Sequence, residues 1–298
     1  MMNKLNARNI DTQELFYGHK ACGGCGESLA LRLALKVLGE EAYIALPAGC
    51  MSAVSFIYPN MAFKNNAIIT PFASTAAVTT GMQAGLKAKG KKNPLAVGFA
   101  GDGGTADIGI QALSGAIDRG EKFIYICTDN EAYMNTGIQK SGLTPYGSHT
   151  TTTPVGKKIK GNMHKKKNMF EIVAAHGIEY AATASMGYIE DFLNKVQKAK
   201  EHDGPSYIHV LAPCPTGWGH GTELTVEIAK NAVDTGLWVL GEYEDGKFKL
   251  NKKPKEFKPI EEYLKPQNRF KHLTNEMLGE ITEIRDQYWD YILENWEV

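Results

Sequence analysis

One stretch of the chain, residues 95–135, contains two apolar strands, each followed at once by a polar break. The run LAVGFA at 95–100 is typical of a strand covered on both faces, and it ends at GDGG, 101–104. A second strand is predicted over 122–128 and ends at DNEA, 129–132, and the apolar spacing over 106–117 predicts a helix between the strands. This order of elements indicates an α/β fold in which both breaks lie at one edge of a parallel sheet.

The two breaks carry groups that bind a phosphate and a divalent cation. Glycines let the backbone approach a phosphate closely, and the start of a helix offers free N–H groups to an anion. Asp102 and Asn130 supply oxygen atoms from neighbouring strand ends, and Mg²⁺ binds a few protein oxygens together with those of a diphosphate. A GDGG turn alone would be weak evidence, because glycine-rich turns are common after strands. The second strand end, with Asn130, makes a diphosphate and metal site the stronger interpretation.

The cysteines point to metal or redox chemistry rather than to disulfides. Cys22 and Cys25 form a CxxC in a glycine-rich run before a helix predicted over 29–38, and Cys50 and Cys214 each follow a predicted strand. Cys127 falls inside an apolar strand and is predicted to be an inert core residue. A CxxC alone fits zinc, a redox pair or an iron–sulfur cluster. The shared position of Cys50 and Cys214 at strand ends predicts that they approach the CxxC.

Charge and hydropathy exclude several classes of partner. The 298 residues include 33 basic and 33 acidic side chains, so nothing in the charge balance favours nucleic acid. No window approaches the roughly 18 to 20 uninterrupted apolar residues of a membrane span, and the first residues lack the apolar core of a signal peptide. We therefore expect a cytoplasmic protein whose partners are small molecules or other proteins.

The chain divides by sequence pattern into two parts. Residues 1–222 contain all the motifs and form the predicted binding domain with its N-terminal arm. Residues 223–298 begin helical, become charged and proline-rich over 241–266, and end in a helix predicted over 270–298. Many apolar side chains in that last helix predict that it packs on a partner subunit or back on this chain. Six lysines within 157–167 indicate either a solvated surface or a site for an acidic nucleotide or protein.

Five motifs occur together in one order: CGGCGE at 22–27, GC at 49–50, GDGGTADIG at 101–109, DNEAYMNTG at 129–137 and APCPTG at 212–217. The breaks at 101 and 130 resemble the thiamine-diphosphate motif. The whole set resembles the beta subunits of the pyruvate:ferredoxin oxidoreductases, in the 2-oxoacid:ferredoxin oxidoreductase family. The resemblance covers about residues 17–275. It implies a doubly wound, mainly parallel sheet of the thiamine-diphosphate-binding (pyrophosphate-domain) type, followed by a C-terminal helical tail.

The resemblance also implies three cofactors and the residues that hold them. A [4Fe–4S] cluster would be bound by Cys22, Cys25, Cys50 and Cys214. Mg²⁺ would be bound by Asp102, Asn130 and the carbonyl of Ala132. Thiamine diphosphate would be surrounded by Gly101, Gly103, Gly104, Thr105 and Tyr133, and approached by Glu27, Gly49 and Cys50. Asn135 would face the substrate, so Glu27 and Asn135 are the implied catalytic residues.

The implied reaction is the reversible oxidative decarboxylation of pyruvate with coenzyme A to acetyl-CoA and CO₂. Electrons would pass through the cluster to ferredoxin. Partner subunits of the alpha, gamma and delta type are implied, because only the diphosphate half of a thiamine site is visible in this sequence. One of them would carry ferredoxin-type clusters, since the chain has no CxxCxxCxxxCP run.

Two departures from the family pattern leave the substrate open. LPAG, 46–49, stands before Cys50 where Asn-Ala-Thr-Gly would be expected, and PFAS, 71–74, lacks an acidic residue after its phenylalanine. A branched-chain, aryl or oxalate-specific enzyme would share the same motifs. A non-redox thiamine-dependent decarboxylase would leave the four cysteines without a role. A zinc-stabilised binding subunit would use them as a structural Cys₄ site.

Overall fold

The computed structural model describes residues 4–6 and 8–297 and contains one large, mostly parallel sheet. Every residue of the two strands in its middle is buried, as apolar runs require when helices cover both faces. The strands are β1 (Ala42–Pro47), β2 (Phe56–Ile57), β3 (Asn60–Met61), β4 (Ala67–Thr70), β5 (Leu95–Gly101), β6 (Phe123–Asp129), β7 (Tyr180–Ser185), β8 (Pro205–Leu211), β9 (Gly241–Glu244) and β10 (Lys247–Leu250).

The strand order of the large sheet is β10-β9-β7-β8-β6-β5-β1-β4, with β2 and β3 forming a separate hairpin. The six strands from β7 to β4 in this order are parallel, whereas β9 and β10 are antiparallel. From β1 the chain moves outward to β4 and then crosses back to β5 on the other side of β1. This reversal opens a crevice at the carboxyl ends of β1 and β5, where ligands bind in such sheets. The prediction of a doubly wound, mainly parallel sheet is confirmed.

Apolar clusters fill both faces of the sheet. The helices are α1 (Gly26–Leu38), α2 (Cys50–Ser55), α3 (Thr75–Ala88), α4 (Asp102–Ala106), α5 (Ile110–Asp118), α6 (Met169–Ala174), α7 (Ile189–Glu201), α8 (Pro215–Trp218), α9 (Thr225–Asp234), α10 (Glu261–Leu264) and α11 (Asn275–Asn295). On one face of the sheet Ile124 and Ile126 pack with α1 and α7. On the other face Phe123 and Tyr125 pack with α3, α5, α6 and α11, because alternate residues of a strand point to opposite faces.

The C-terminal part of the chain packs on the sheet of its own chain. The apolar cluster that contains Phe170 also includes Trp289 and Ile292 of α11, and Trp296, which follows that helix. The β9–β10 hairpin extends the sheet beside β7, although the sequence predicted only charged, proline-rich chain there. The packing accounts for the apolar side chains of the last helix. Contact of residues 223–298 with a partner subunit stays a prediction.

Two predicted helices differ from the structure. The helix predicted over 106–117 is two helices, α4 and α5, separated at Asp107, whose carboxylate accepts hydrogen bonds from Tyr133 at 2.8 Å and from the amide of Gly142 at 2.9 Å. These bonds hold the chain in a turn. Helix α1 begins at Gly26 rather than at Leu29, because the Gly26 amide donates to the carbonyl of Pro213 at 3.1 Å. No helix in the described residues has both the length and the apolar content to cross a membrane.

Candidate active site at the carboxyl ends of the central strands

A cleft opens at the carboxyl ends of β1, β4, β5 and β6, at the crevice that the strand order predicts. It is lined by Glu27, Pro47, Ala48, Gly49, Cys50, Met51, Phe72, Phe99, Gly101, Asp102, Gly103, Gly104, Thr128, Asn130, Ala132, Tyr133, Met134, Asn135 and Thr136. All of the residues predicted to hold thiamine diphosphate, Mg²⁺ or the substrate line this cleft except Thr105. The hydroxyl of Thr105 donates instead to the carbonyl of Gly101 at 2.8 Å, within the turn that starts α4.

Asp102 is the acidic group at the start of α4. Its side chain is 1% exposed and accepts a hydrogen bond from the Ser141 hydroxyl. Burial, with the nearby negative charge of Asp129, raises the pKa of Asp102 well above its ordinary value. A cation in the cleft would remove this penalty on the ionised form, so the environment of Asp102 fits a metal ligand.

Asn130 follows β6 and lines the same cleft as Asp102. Its side-chain oxygen is buried and has no hydrogen-bond partner among the described residues, which is unusual for a buried polar atom. The backbone carbonyl of Asn130, by contrast, accepts a hydrogen bond from the indole N–H of Trp218 at 2.7 Å. The backbone is therefore fixed while the side-chain oxygen remains free to bind a ligand such as Mg²⁺.

Glu27, at the start of α1, forms the wall between the cleft and the cysteines. The Thr128 hydroxyl donates to its carboxylate at 2.9 Å. Burial raises the pKa of Glu27 to about 7, although hydrogen bonds from Thr128 and Asn130 oppose the shift. Asn135 is exposed at the mouth of the same cleft, a position open to a substrate.

Two glycines, one in the GDGG run and one just after it, leave room for neighbouring side chains and backbone. A Cβ atom on Gly103 would lie 2.4 Å from the ring of Tyr133, so only glycine lets that ring close over the start of α4. The Phe72 and Tyr133 rings meet with centroids 5.9 Å apart and form an aromatic wall of the cleft. Gly109 is equally constrained, because its Cβ would lie 1.9 Å from the carbonyl oxygen of Gly104.

Residues 129–132, which we call the metal loop, are held by charges on the side away from the cleft. Lys166 contacts Asp129 at 2.6 Å and Glu131 at 2.7 Å, and Arg269 contacts Glu131 at 2.5 Å. The imidazole of His209 also contacts the Asp129 carboxylate, at 2.9 Å. Burial alone would raise the pKa of Asp129, but Lys166 and His209 outweigh it and hold the pKa below its ordinary value.

The sequence did not identify the residues behind the metal loop. Lys166 belongs to the lysines within 157–167, which the sequence assigns to a solvated surface or to a site for an acidic partner. In the structure Lys166 instead points inward to Asp129, and Lys167 pairs with Asp107 at 2.6 Å. No sequence motif indicates that Arg269 or Trp218 contacts the metal loop. Their pairing with the loop depends on how the chain folds back, which no local pattern reveals.

The four predicted cluster ligands come together beside Glu27, and we call Cys22, Cys25, Cys50 and Cys214 the cysteine site. The CxxC loop is pinned to the loop of Cys214, because the Gly26 amide bonds to Pro213 and the Thr225 hydroxyl donates to the carbonyl of Gly24 at 2.6 Å. A Cβ on Gly24 would lie 2.2 Å from the carbonyl oxygen of Thr222, so the loops approach as closely as glycine allows. Cys127 is fully buried in β6, as predicted.

Burial raises the pKa of three thiols of the cysteine site, whereas Cys22 is exposed. Burial and the charge of Glu27 raise the pKa of Cys25 to about 11, and burial raises that of Cys214 to about 12. Burial also raises the pKa of Cys50, with contributions from Glu27 and the other three cysteines, so the four sulfurs lie close enough to interact electrostatically. A bound metal would favour the thiolate forms of Cys25, Cys50 and Cys214. Within the described residues no three His, Cys, Asp or Glu side chains converge tightly enough for one metal ion.

Comparisons with known proteins agree with this geometry. Residues 47–210 match the family model described as "Thiamine pyrophosphate enzyme, C-terminal TPP binding domain". The chain is 54% identical to pyruvate synthase subunit PorB of Methanothermobacter thermautotrophicus over 90% of this chain and 93% of that protein. It is 50% identical to ketoisovalerate oxidoreductase subunit VorB of Pyrococcus horikoshii over 96% of this chain and 92% of that protein.

A solved structure shares the fold at lower identity. The 2-oxoglutarate:ferredoxin oxidoreductase of Magnetococcus marinus, solved with 2-oxoglutarate, coenzyme A and succinyl-CoA bound, superposes with a TM-score of 0.57. The match covers 70% of each chain at 21% sequence identity. This likeness supports the fold, and the closer sequence relatives above define the family.

Proposed function

Because the chain belongs to the thiamine pyrophosphate enzymes, among the PorB and VorB subunits of 2-oxoacid oxidoreductases, we propose that it is the thiamine-diphosphate-binding subunit of a pyruvate:ferredoxin oxidoreductase. The observation that carries the proposal is the cleft itself. It contains the buried carboxylate of Asp102 and the side-chain oxygen of Asn130, which has no hydrogen-bond partner among the described residues, at the crevice of a parallel sheet. An oxygen pair of this kind fits a hard divalent ion bound together with a diphosphate.

Mg²⁺ would be held by Asp102, Asn130 and the carbonyl of Ala132, all of which line the cleft. The diphosphate would lie against Gly101, Gly103 and Gly104. Tyr133 and Phe72 would cover it from the side and exclude water. Thr105 would act by supporting the turn at Gly101 rather than by direct contact.

When bound, thiamine diphosphate supplies the carbon nucleophile that adds to the keto group of a 2-oxoacid and stabilises the charge left after CO₂ departs. The residues of this chain position the reactants. Asn135, exposed at the mouth of the cleft, would contact the substrate, and Glu27 would form the wall between the cofactor and the cysteine site.

The cysteine site would bind a [4Fe–4S] cluster, which supplies a one-electron acceptor close to the cleft. Four cysteines that share one electrostatic environment fit a cluster whose irons each take one thiolate. A single zinc ion would require all four sulfurs within about 2.3 Å of one point. The described cysteines do not converge in that way, so the zinc-stabilised module has less support than the cluster.

The chain would act as part of a larger enzyme, because its relatives are named as subunits. Partner subunits of the alpha, gamma and delta type would complete the thiamine site and carry further clusters. Coenzyme A would accept the acetyl group, and ferredoxin would accept two electrons, one at a time. The balanced reaction converts pyruvate and coenzyme A to acetyl-CoA, CO₂, one proton and two electrons, and ferredoxin takes up the two electrons.

A branched-chain 2-oxoacid is the second candidate substrate. The cleft wall at Pro47, Ala48 and Met51 is apolar, in a segment where the sequence departs from the pattern expected for pyruvate enzymes. VorB relatives match the chain nearly as well as PorB relatives do. Overall identity therefore does not choose between a methyl and a branched side chain on the substrate.

A substrate panel tests the proposal on the anaerobically purified enzyme complex that contains this chain. Pyruvate, 2-oxoisovalerate, an aryl 2-oxoacid and oxalate are supplied one at a time with coenzyme A and a viologen dye, and dye reduction is recorded with and without coenzyme A. We expect the highest kcat/KM for pyruvate. A higher value for 2-oxoisovalerate would transfer the assignment to the second candidate. CO₂ release without dye reduction, from iron-free protein, would support a non-redox decarboxylase instead.

A further inference from the structure

We propose that Arg269 and Lys166 are positioning residues that hold the metal loop in its binding conformation from the side away from the cleft. The proposal rests on the proposed function, because it assigns a role in cofactor binding to residues that do not line the cleft. It makes the segment after α10, outside the part of the chain that carries the motifs, part of the cofactor site.

The metal loop has a backbone conformation that needs support. Glu131 has a φ of +66°, in the left-handed region that non-glycine residues seldom adopt. The turn there points Asn130 into the cleft and leaves the carboxylates of Asp129 and Glu131 on the opposite side. A relaxed backbone would move the Asn130 oxygen and the Ala132 carbonyl together, because they flank the strained residue.

The carboxylates on the far side are matched by an equal number of cations. Lys166 bridges Asp129 and Glu131, and Arg269 binds the second oxygen of Glu131. Asp129, Glu131 and Arg269 are each at most 5% exposed, so their charges interact with little screening by solvent. The Glu131 side chain is thus held at both oxygens, which fixes its backbone in the left-handed turn.

Two backbone carbonyls of the metal loop are also held by hydrogen bonds, and Arg269 packs on one of the two donors. The guanidinium of Arg269 stacks 3.8 Å from the ring of Trp218, whose indole N–H binds the carbonyl of Asn130. The Thr144 hydroxyl donates to the carbonyl of Glu131 at 2.7 Å. Arg269 therefore supports the loop twice, once through a carboxylate and once through the indole. It stands 138 residues after Glu131 in the chain, so only the fold brings them together.

The test compares Arg269→Met with Lys195→Met in the enzyme complex that contains this chain, because partner subunits would complete the thiamine site. Lys195 is a matched control, since it is also 3% exposed and paired with a carboxylate, Asp191 at 2.7 Å, but lies on α7 against the other face of the sheet. Two quantities are measured: the Kd for thiamine diphosphate with Mg²⁺, from tryptophan fluorescence, and amide hydrogen exchange over 129–137 in protein without cofactor.

We expect Arg269→Met to weaken cofactor binding by about tenfold or more and to accelerate exchange over 129–137. Lys195→Met should lower the melting temperature but leave both quantities within about twofold of wild type, since additivity holds for distant sites. Arg269→Lys keeps the charge without the planar fork, so a partial recovery is expected. Equal effects of the two Met variants on Kd, or unchanged exchange in Arg269→Met, would overturn the proposal.

Two outcomes are kept apart by this design. If Arg269→Met does not fold, Arg269→Lys carries the test, and wild-type affinity and exchange in that variant would refute the positioning role of the fork. If wild-type protein binds no thiamine diphosphate, the proposed function fails. The exchange comparison in cofactor-free protein would still decide whether Arg269 holds the loop.

Discussion

The metal loop and the cysteine site lie at the same edge of the sheet, but the protein balances their charges in opposite ways. In the metal loop, buried carboxylates that do not face the cleft meet Lys166 and Arg269 at 2.5–2.7 Å. In the cysteine site, burial raises the pKa of Cys25, Cys50 and Cys214, which favours their uncharged forms. The charges of the metal loop are therefore paired within the chain, whereas these three thiols would become charged on binding the proposed cluster.

This difference predicts that the two sites can be lost independently. A change in the cysteine site should remove a metal that the chain cannot otherwise replace. A change in the metal loop or in the GDGG run should weaken one ligand while the rest of the cleft remains in place. The substitutions below test this separation, in order of the expected effect.

Cys214→Ser should have the largest effect. Cys214 is the predicted ligand on the loop after β8, and its thiol belongs to the shared environment of the four cysteines. We expect loss of bound iron and of dye reduction, with thiamine diphosphate affinity within about threefold of wild type because Cys214 itself does not line the cleft. Iron analysis and fluorescence titration measure the two. Cys127→Ser is the control cysteine, and iron retained in Cys214→Ser would remove this residue from the ligand set.

Asp102→Ala should have the next largest effect, on the other site. Even an outer-shell partner of a metal contributes roughly 10- to 100-fold in affinity, so the loss of a direct ligand should weaken Mg²⁺-dependent cofactor binding by at least about 100-fold. Iron content should not change. Asp118→Ala, on the exposed end of α5, is the control. Simultaneous loss of iron in Asp102→Ala would show that the two sites are not separable.

The sequence predicted the front of the site because that part is encoded locally. Asp102 and Asn130 each follow a buried strand, and the carboxyl ends of adjacent parallel strands must meet. The same reasoning placed Cys50 and Cys214 near the cleft. A strand followed by a polar break is a short-range pattern, so these positions needed no knowledge of how distant parts of the chain return.

The back of the site could not be predicted for the opposite reason. Lys166 and Arg269 are ordinary basic residues in basic or mixed segments, and only the folded chain shows that they meet buried carboxylates. The turn at Asp107 was missed similarly, because its hydrogen-bond donors lie in later loops. The β9–β10 hairpin, by contrast, could have been predicted. An Asp-Gly pair is a typical hairpin turn, and Asp245-Gly246 does form the turn between β9 and β10.

Gly103→Ala should have the smallest effect. It tests how much the close contact between Gly103 and the Tyr133 ring contributes to thiamine diphosphate binding. The added Cβ would lie 2.4 Å from the Tyr133 ring, so the ring or the start of α4 must move. The same change at Gly115, within α5, meets only the far end of Arg119 at 3.5 Å and should stabilise the helix by about 0.5–1 kcal/mol.

We expect Gly103→Ala to weaken thiamine diphosphate binding by about tenfold, equivalent to about 1.4 kcal/mol, with iron content unchanged. The effect is smaller than that of Asp102→Ala because all three proposed metal ligands remain and only the aromatic wall shifts. Fluorescence titration of Gly103→Ala beside Gly115→Ala isolates this contact from a general effect of alanine on helices. Wild-type affinity in Gly103→Ala would mean that Tyr133 moves freely, and that the metal loop rather than the GDGG run sets the shape of the cofactor site.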